Sequence, residues 1–355
     1  MRGLELSRRF YFDAVLPILD RHFGGVEHTA ALVGYGSDVL GFDDETSRDH
    51  EWGPRVLLFL RDLAPAAAID RVLADELPTS IAGFPTHFGP TEEEGTTRIT
   101  PTTTRPIAHR VQLLDLGEYL DAQLGFDPRH GVGLRDWLVT PAQRLREMTA
   151  GAVFTDADGE LTRVRTLLAW YPHDVWLFVM AGLWRRIAQL EHFLGRTGAL
   201  GDELGSRLVA ASLVRDLMRL ALVQERQYPP YWKWLGTAYA GLGCAEAPAL
   251  QAALCAETWR KREDAIVQAY EAVGERHNAL AVTEWVEPTG RPFWGRQFRV
   301  LFADRFVDAL RAAIGDPEVK AIDHNAGSIE SVSDNTDVLT RPSLWRALAD
   351  LYDRP

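Results

Sequence analysis

Two short motifs near the N-terminus carry residue types that bind phosphate groups and divalent metal ions. Gly36-Ser37 follows an apolar segment, and Asp49-His50-Glu51 precedes another one. Residues two apart in an extended segment point to the same side, so Asp49 and Glu51 are expected to present two carboxylates on one face. Two carboxylates together with substrate phosphates form a ligand set that Mg²⁺ commonly takes. The pattern therefore predicts that Asp49 and Glu51 hold Mg²⁺ or Mn²⁺ and are catalytic residues.

The glycine-serine motif and a nearby arginine are suited to hold a triphosphate. Gly36 lets the backbone approach a phosphate closely, since glycine has no Cβ atom. The Ser37 hydroxyl and the N–H groups that follow it can donate hydrogen bonds to phosphate oxygens, and a helix beginning there would add its dipole. Arg48 would place positive charge beside a leaving pyrophosphate. We predict that Gly36, Ser37 and Arg48 contact the phosphates of a nucleoside triphosphate (NTP).

The acidic stretch around these motifs also has a simpler interpretation. Asp38, Asp43 and Asp44 add to the carboxylates of Asp49 and Glu51 between two predicted strands. An acidic connection of this kind often only keeps a loop solvated. The sequence leaves both interpretations open for Asp49 and Glu51, and it assigns the other three acids to the solvated loop.

Two basic residues in the second half of the chain are further candidates for phosphate binding. The chain has only three lysines, and Lys233 lies among aromatic residues in the segment Tyr228–Trp234. An ammonium group is a compact point charge that suits phosphate, although such a lysine can equally lie on the surface with its stem packed on the aromatic rings. Arg207 shares one face of a predicted helix with Arg215. Lys233 and Arg207 are therefore included in the predicted NTP-binding set.

The hydrophobic pattern predicts the elements that must position these residues. Apolar residues at helical spacing indicate a helix over residues 4–24. A short apolar strand then leads into Gly34–Ser37, and the continuous apolar run Arg55–Leu60 is typical of a buried strand. Residues 65–76 indicate a second helix, and residues 107–116 indicate another strand.

The periodicity changes near residue 129 and is helical from there on. We therefore predict two domains, residues 1–128 and residues 129–355. The first is a mixed sheet with flanking helices, and the second is a larger all-helical domain. Together they give an α+β fold class.

The motif spacing resembles that of a known superfamily. Gly36-Ser37, eleven residues, and then Asp49-His50-Glu51 beside an apolar strand are similar to the signature of the polymerase-beta-like nucleotidyltransferases. Residues 191–234 and 327–339 resemble a bacterial domain-of-unknown-function family whose members pair a nucleotidyltransferase-like half with a helical half. The layout is similar to that of the kanamycin nucleotidyltransferases. The resemblance implies a nucleotidyltransferase-like fold for residues 1–128.

One part of the superfamily pattern is missing. The resemblance implies a third carboxylate on a later strand, near Arg110 or Gln112, and neither residue is acidic. Asp115 lies at the end of the same predicted strand, and Glu118 follows it. We predict Asp115 as the catalytic base, and a site with only two carboxylates remains open.

Composition restricts the class of partner. The net charge is -12, which argues against a long nucleic acid as the acceptor. The first residues lack the apolar core of a signal peptide, and no run of 18 or more apolar residues exists, so we expect a cytoplasmic protein without a membrane partner.

The function expected from these observations is Mg²⁺-dependent transfer of a nucleotidyl group from an NTP. The acceptor would be a small molecule, preferably cationic, or a protein side chain. The alternative is a module that binds nucleotide or metal without turnover, or a protein-interaction protein with a degenerate nucleotidyltransferase site.

Overall fold

The computed structural model describes residues 1–353 and divides them into two compact units. Unit 1 contains residues 1–131 together with residues 144–169. Unit 2 contains residues 132–143 together with the chain from residue 170 onward. The coarse prediction of an α+β protein with a small mixed sheet and a large helical part is confirmed.

Unit 1 is built on a four-stranded mixed sheet with the strand order β7-β2-β1-β8. Strand β1 is antiparallel to both β2 and β8, while β2 is parallel to β7. The strands of unit 1 are β1 His28–Leu32, β2 Arg55–Leu60, β3 Ser80–Ile81, β4 Phe84–Pro85, β5 Phe88–Pro90, β6 Thr97–Ile99, β7 Arg110–Leu114 and β8 Ala152–Asp156. The predicted strands that became β1, β2 and β7 are therefore confirmed.

Helices cover the sheet and supply the core of unit 1. The predicted N-terminal helix forms as α1 Gly3–Phe10, a π-helical turn Tyr11–Val15 and α2 Leu16–Phe23, and Gly24 ends it in the left-handed region. Every residue of β2 is buried, as its unbroken apolar sequence indicates. The remaining helices of unit 1 are α3 Ser37–Leu40, α4 Ala66–Glu76, α5 Leu116–Leu124, α7 Ala142–Thr149 (which begins in unit 2) and α8 Glu160–Leu167.

The fourth strand shows that the chain returns to the first unit after the predicted boundary at residue 128. Strand β8 pairs with β1, so residues 144–169 belong to unit 1 and not to the helical unit. The backbone of Gly151 has a φ of +69°, and a Cβ atom there would collide with the carbonyl oxygen of Leu32. A glycine at this position is what allows β8 to approach β1.

Unit 2 is dominated by three long helices of more than 20 residues, with shorter helices around them. Its helices are α6 Leu134–Val139, α9 His173–Ala199, α10 Glu203–Gln224, α11 Trp232–Ala240, α12 Ala247–Cys255, α13 Trp259–Ala279, α14 Asp304–Ala313, α15 Pro317–Lys320, α16 Thr336–Thr340 and α17 Pro342–Arg346. A short hairpin, β9 Arg291–Pro292 and β10 Arg299–Val300, interrupts the helical pattern. Among residues 1–353, no helix is both long and apolar enough to cross a membrane.

Candidate functional site

The predicted phosphate-binding motif forms a sharp turn between β1 and α3. Gly34 and Gly36 have φ values of +90° and +136°, which residues other than glycine rarely adopt. A Cβ atom on Gly36 would collide with the Asp38 carboxylate and the Arg55 guanidinium. A helix begins at Ser37, as predicted, but it has only four residues.

A buried ion pair lies directly beneath this turn. Arg55 Nη2 donates to both carboxylate oxygens of Asp38, at 2.6 and 2.9 Å. The side chains are only 9% and 2% exposed. Burial alone would lower the pKa of Arg55, but the adjacent Asp38 carboxylate outweighs it and the pKa is raised. The guanidinium of Arg55 therefore stays charged beside the glycine turn.

The assignment of three acids to a solvated loop is wrong for two of them. Asp38 is held by Arg55, and Asp43 is buried with its carboxylate accepting hydrogen bonds from the backbone of Gly3 and from Trp52 Nε1. Only Asp44 is exposed. The acids of this stretch are thus partly structural, because they bind the N-terminal helix and the turn to each other.

The expectation that Asp49 and Glu51 share one face of an extended segment is also wrong. A 3-10 turn, Thr46–Arg48, leads into Asp49, and Glu51 has a left-handed φ of +50°. Asp49 is exposed and contacts His50 at 2.8 Å. Glu51 instead accepts hydrogen bonds from Thr97 N at 2.9 Å and from Arg110 Nη2 at 2.8 Å.

This arrangement does not fit a preformed metal site. Arg110 Nη2 lies within 2.9 Å of both carboxylate oxygens of Glu51, and its positive charge takes the place that a cation would fill. Within residues 1–353, no group of three or more His, Cys, Asp or Glu side chains could hold a metal ion. The metal-binding and catalytic roles of Asp49 and Glu51 remain predictions.

Unit 1 also contains a cavity of about 470 Å³ that extends along β7 from Arg110 to Asp115. The polar residues that line it are two arginines, two glutamines, two carboxylates and two tyrosines: Arg55, Arg110, Gln112, Gln123, Asp115, Glu118, Tyr35 and Tyr119. Arg55 and Arg110 are direct partners across the parallel strands β2 and β7, and Gln112 is two residues further along β7. The cavity therefore combines two guanidinium groups with two carboxylates and two aromatic rings, and its remaining walls are aliphatic.

Two tyrosines shape this cavity. Tyr35 is half exposed, and its ring lies 5.5 Å from the Arg55 guanidinium carbon. Tyr119 packs its hydroxyl against Gly34 and donates to the carbonyl oxygen of Val33 at 3.4 Å. Burial raises the pKa of Tyr119, so its hydroxyl stays neutral. Tyr119 thus contributes a neutral hydroxyl to the cavity, and Tyr35 contributes a half-exposed aromatic ring.

The remaining predicted residues are distributed over both units. Asp115 lines the cavity as the N-cap of α5, where its carboxylate accepts from Glu118 N at 2.9 Å. Arg48 lies over the rings of Trp52 and Phe84.

The two residues predicted in the second half of the chain belong to unit 2. There Arg207 donates to the carbonyl oxygen of Glu257 at 3.0 Å, and Lys233 lies 5.0 Å from the Trp234 ring. Their roles in NTP binding remain predictions.

Sequence reasoning missed Arg55, Tyr35 and Tyr119 as cavity residues. The signal for Arg55 was present, since a charged residue opening a wholly apolar strand needs a partner or a function. Tyr35 lies within the glycine motif itself. Tyr119 had no signal, because its position depends on how α5 packs against β1.

Comparison with known proteins gives one match. A domain of unknown function (DUF4037) matches residues 137–235, which run from α6 into α11. No curated protein and no solved structure shows a significant match to this chain. The nucleotidyltransferase-like half expected from the sequence therefore rests on residues 1–128 themselves.

Proposed function

We propose that unit 1 binds an NTP in the arginine-lined cavity, on a fold of the nucleotidyltransferase type. The observation that carries this proposal is the pairing of Arg55 with Arg110 across β2 and β7, in one cavity and beside the Gly34–Ser37 turn. Two guanidinium groups side by side are suited to a polyphosphate. A volume of about 470 Å³ is within the range of small-molecule sites.

Different side chains of the cavity are suited to the phosphates and to the base of an NTP. Arg110 is less buried than Arg55, and its partner Glu51 is an acid that a more strongly charged phosphate can replace. Tyr35 offers an open ring on which a base can stack. Gln112 supplies both a donor and an acceptor for a base edge or a ribose.

Nucleotidyl transfer is a second candidate, favoured by the position of Asp115 in the same cavity. In that reaction an acceptor hydroxyl or amine attacks the α-phosphorus, a new P–O or P–N bond forms, and the bond to pyrophosphate breaks. Asp115 would accept the proton of the acceptor. The acceptor would be a small cationic molecule or a protein side chain, given the net charge of -12.

Calorimetric titration of the full chain with each of the four NTPs tests the proposal, in Mg²⁺ and again in EDTA. We expect one NTP to bind, and Arg110→Gln to weaken that binding by about tenfold, as the loss of a charged hydrogen bond to phosphate implies. Arg71→Gln is the matched control, because Arg71 is exposed on α4. Equal affinities for the two variants would contradict binding in this cavity.

Pyrophosphate release then separates turnover from binding. Release that depends on Mg²⁺ and is lost in Asp115→Asn would support nucleotidyl transfer. Binding without release, tested with amine and hydroxyl acceptors, would leave unit 1 as a nucleotide-binding module.

A further inference from the structure

Two arginines of unit 2 bind one buried carboxylate, and a third arginine lies close to it. Asp216 on α10 is completely buried, and its two oxygens accept hydrogen bonds from Arg215 Nε at 2.9 Å and from Arg186 Nε at 3.0 Å. Arg219, one turn further along α10, donates to the carbonyl oxygen of Glu330 at 3.0 Å. Arg186 comes from the neighbouring helix α9, so two helices place their cations at one point.

Three acids, Asp216, Glu330 and Asp334, lie near the three arginines, but they hold them unequally. Burial lowers the pKa of Arg219, and the neighbouring acids Glu330 and Asp216 do not restore it because Arg186 and Arg215 oppose them. The other acid near the cluster is Asp334, which contacts Arg215 Nη1 at 3.5 Å. The Asp334 side chain is 65% exposed, so this ion pair is weak and its carboxylate can leave.

An open aromatic ring lies beside the same cluster. Trp232, at the start of α11, is 60% exposed, and the Arg215 guanidinium carbon lies 5.4 Å from its ring centre. Trp285 and Trp294 of unit 2 are more exposed still, but Trp232 is the one whose ring lies beside an arginine of this cluster. Its exposed area provides a stacking surface beside the guanidinium groups.

We propose that Arg186, Arg215 and Arg219 form an anion site in unit 2 that takes the phosphate of a nucleoside monophosphate, with the base stacked on Trp232. Each guanidinium carries five N–H donors in a fork that matches phosphate oxygens. The contacts with protein groups described here use two nitrogen atoms of Arg186, two of Arg215 and one of Arg219. An incoming phosphate replaces the Asp334 carboxylate on Arg215. This site is independent of the cavity proposed in unit 1.

A purely structural role makes a different prediction for Asp334. Arg186 donates to the carbonyl oxygen of Ser331 at 2.8 Å, so the arginines could serve only to hold this segment in place. In that case, removing Asp334 lowers stability slightly and leaves phosphate binding unchanged. If the cluster is an anion site, Asp334 competes with the ligand. Its removal then strengthens phosphate binding.

The test is calorimetric titration of the full chain with inorganic phosphate and with AMP. We expect Asp334→Asn to tighten phosphate binding by about two- to fivefold, the range of an exposed ion pair. Arg215→Gln should weaken it by about tenfold or more. Arg185→Gln is the matched control, because Arg185 lies on α9 next to Arg186 and pairs with Asp304.

The variant Trp232→Ala distinguishes the contribution of the base to binding from that of the phosphate. It should weaken AMP binding by about tenfold, the value of one stacked base, and leave inorganic phosphate binding unchanged. If Arg215→Gln fails to fold, Asp334→Asn and Trp232→Ala still test the proposal, because both residues are exposed. Phosphate affinity that is the same in Asp334→Asn as in the wild type would overturn the proposal, and so would AMP affinity that Trp232→Ala leaves intact.

Discussion

Arg55 and Arg110 are partners across the parallel strands β2 and β7, yet each is held by a different carboxylate. Arg55 is paired with Asp38 under the glycine turn, and Arg110 with Glu51 beside the β5–β6 hairpin. The two pairs differ in burial, with Arg55 almost inaccessible and Arg110 about a quarter exposed. The first pair is therefore suited to shape the site, and the second is suited to exchange its partner.

The Asp38–Arg55 pair should be essential for the stability of unit 1. Asp38→Ala leaves the Arg55 charge buried without its carboxylate, which typically costs about 3–5 kcal/mol. We expect the free energy of unfolding in urea to fall by that amount. The double variant Asp38→Leu with Arg55→Met removes both charges and should recover most of the loss. Asp44→Ala, at an exposed acid of the same stretch, should lower the free energy of unfolding far less.

Glu51 and Asp49 should respond differently to neutralisation. Glu51→Gln weakens the ion pair with Arg110, so the guanidinium is more available to bind a phosphate. NTP affinity should therefore rise by about two- to tenfold. Asp49→Asn should change NTP affinity little, because Asp49 is exposed and contacts only His50 among the ion pairs described. Titrations of both variants with and without Mg²⁺ check this. Equal losses of Mg²⁺-dependent binding in the two variants would instead support the carboxylate pair predicted from sequence.

The strongly patterned parts of the fold could be predicted from the sequence. The unbroken apolar run of β2, the helical spacing of residues 4–24 and the glycines of the β1–α3 turn are local signals, and each of these elements forms. Strand β8 could not be found in this way, because its five residues follow a helix and gain their strand conformation from pairing with β1.

Among the predicted site residues only Asp115 lines the cavity, so the sequence did not locate it. Of the segment Gly34–Ser37 only Tyr35 lines the cavity, and the conformation of Glu51 depends on a hairpin formed by residues 88–99. Because Thr97 and Arg110 are distant in sequence, the spacing of Asp49 and Glu51 alone could not show that an arginine neutralises one of the two carboxylates.

Gly151 should be irreplaceable where β8 begins. Gly151→Ala combines a left-handed backbone with a collision against the Leu32 carbonyl oxygen, so its cost should exceed that of strain alone. Gly41→Ala is the matched control in the same unit, because Gly41 has a φ of +74° and open space around its Cα. We expect the free energy of unfolding in urea to fall by about 1–2 kcal/mol in the control and by several kcal/mol in Gly151→Ala. Similar costs would show that β8 tolerates a shift away from β1.

Glu191 should make the stability of unit 2 depend on pH. Burial raises the pKa of Glu191 to about 7, although its carboxylate accepts hydrogen bonds from the backbone of Leu301, Phe302 and Ala303. Because the folded pKa lies above the unfolded one, the folded state binds the proton more tightly. The contribution to stability is then complete below about pH 4.5 and is lost as pH rises to about 7.

We expect this loss to be at most about 3 kcal/mol, as the shift in pKa implies. Glu191→Gln should remove the dependence between pH 4.5 and 7, measured as the free energy of unfolding in urea at each pH. Glu275→Gln, at an exposed position on α13, should retain it. A wild-type profile that rises across this interval, or a Glu191→Gln profile that still falls, would show that the three backbone donors keep Glu191 ionised and that its burial does not control its protonation.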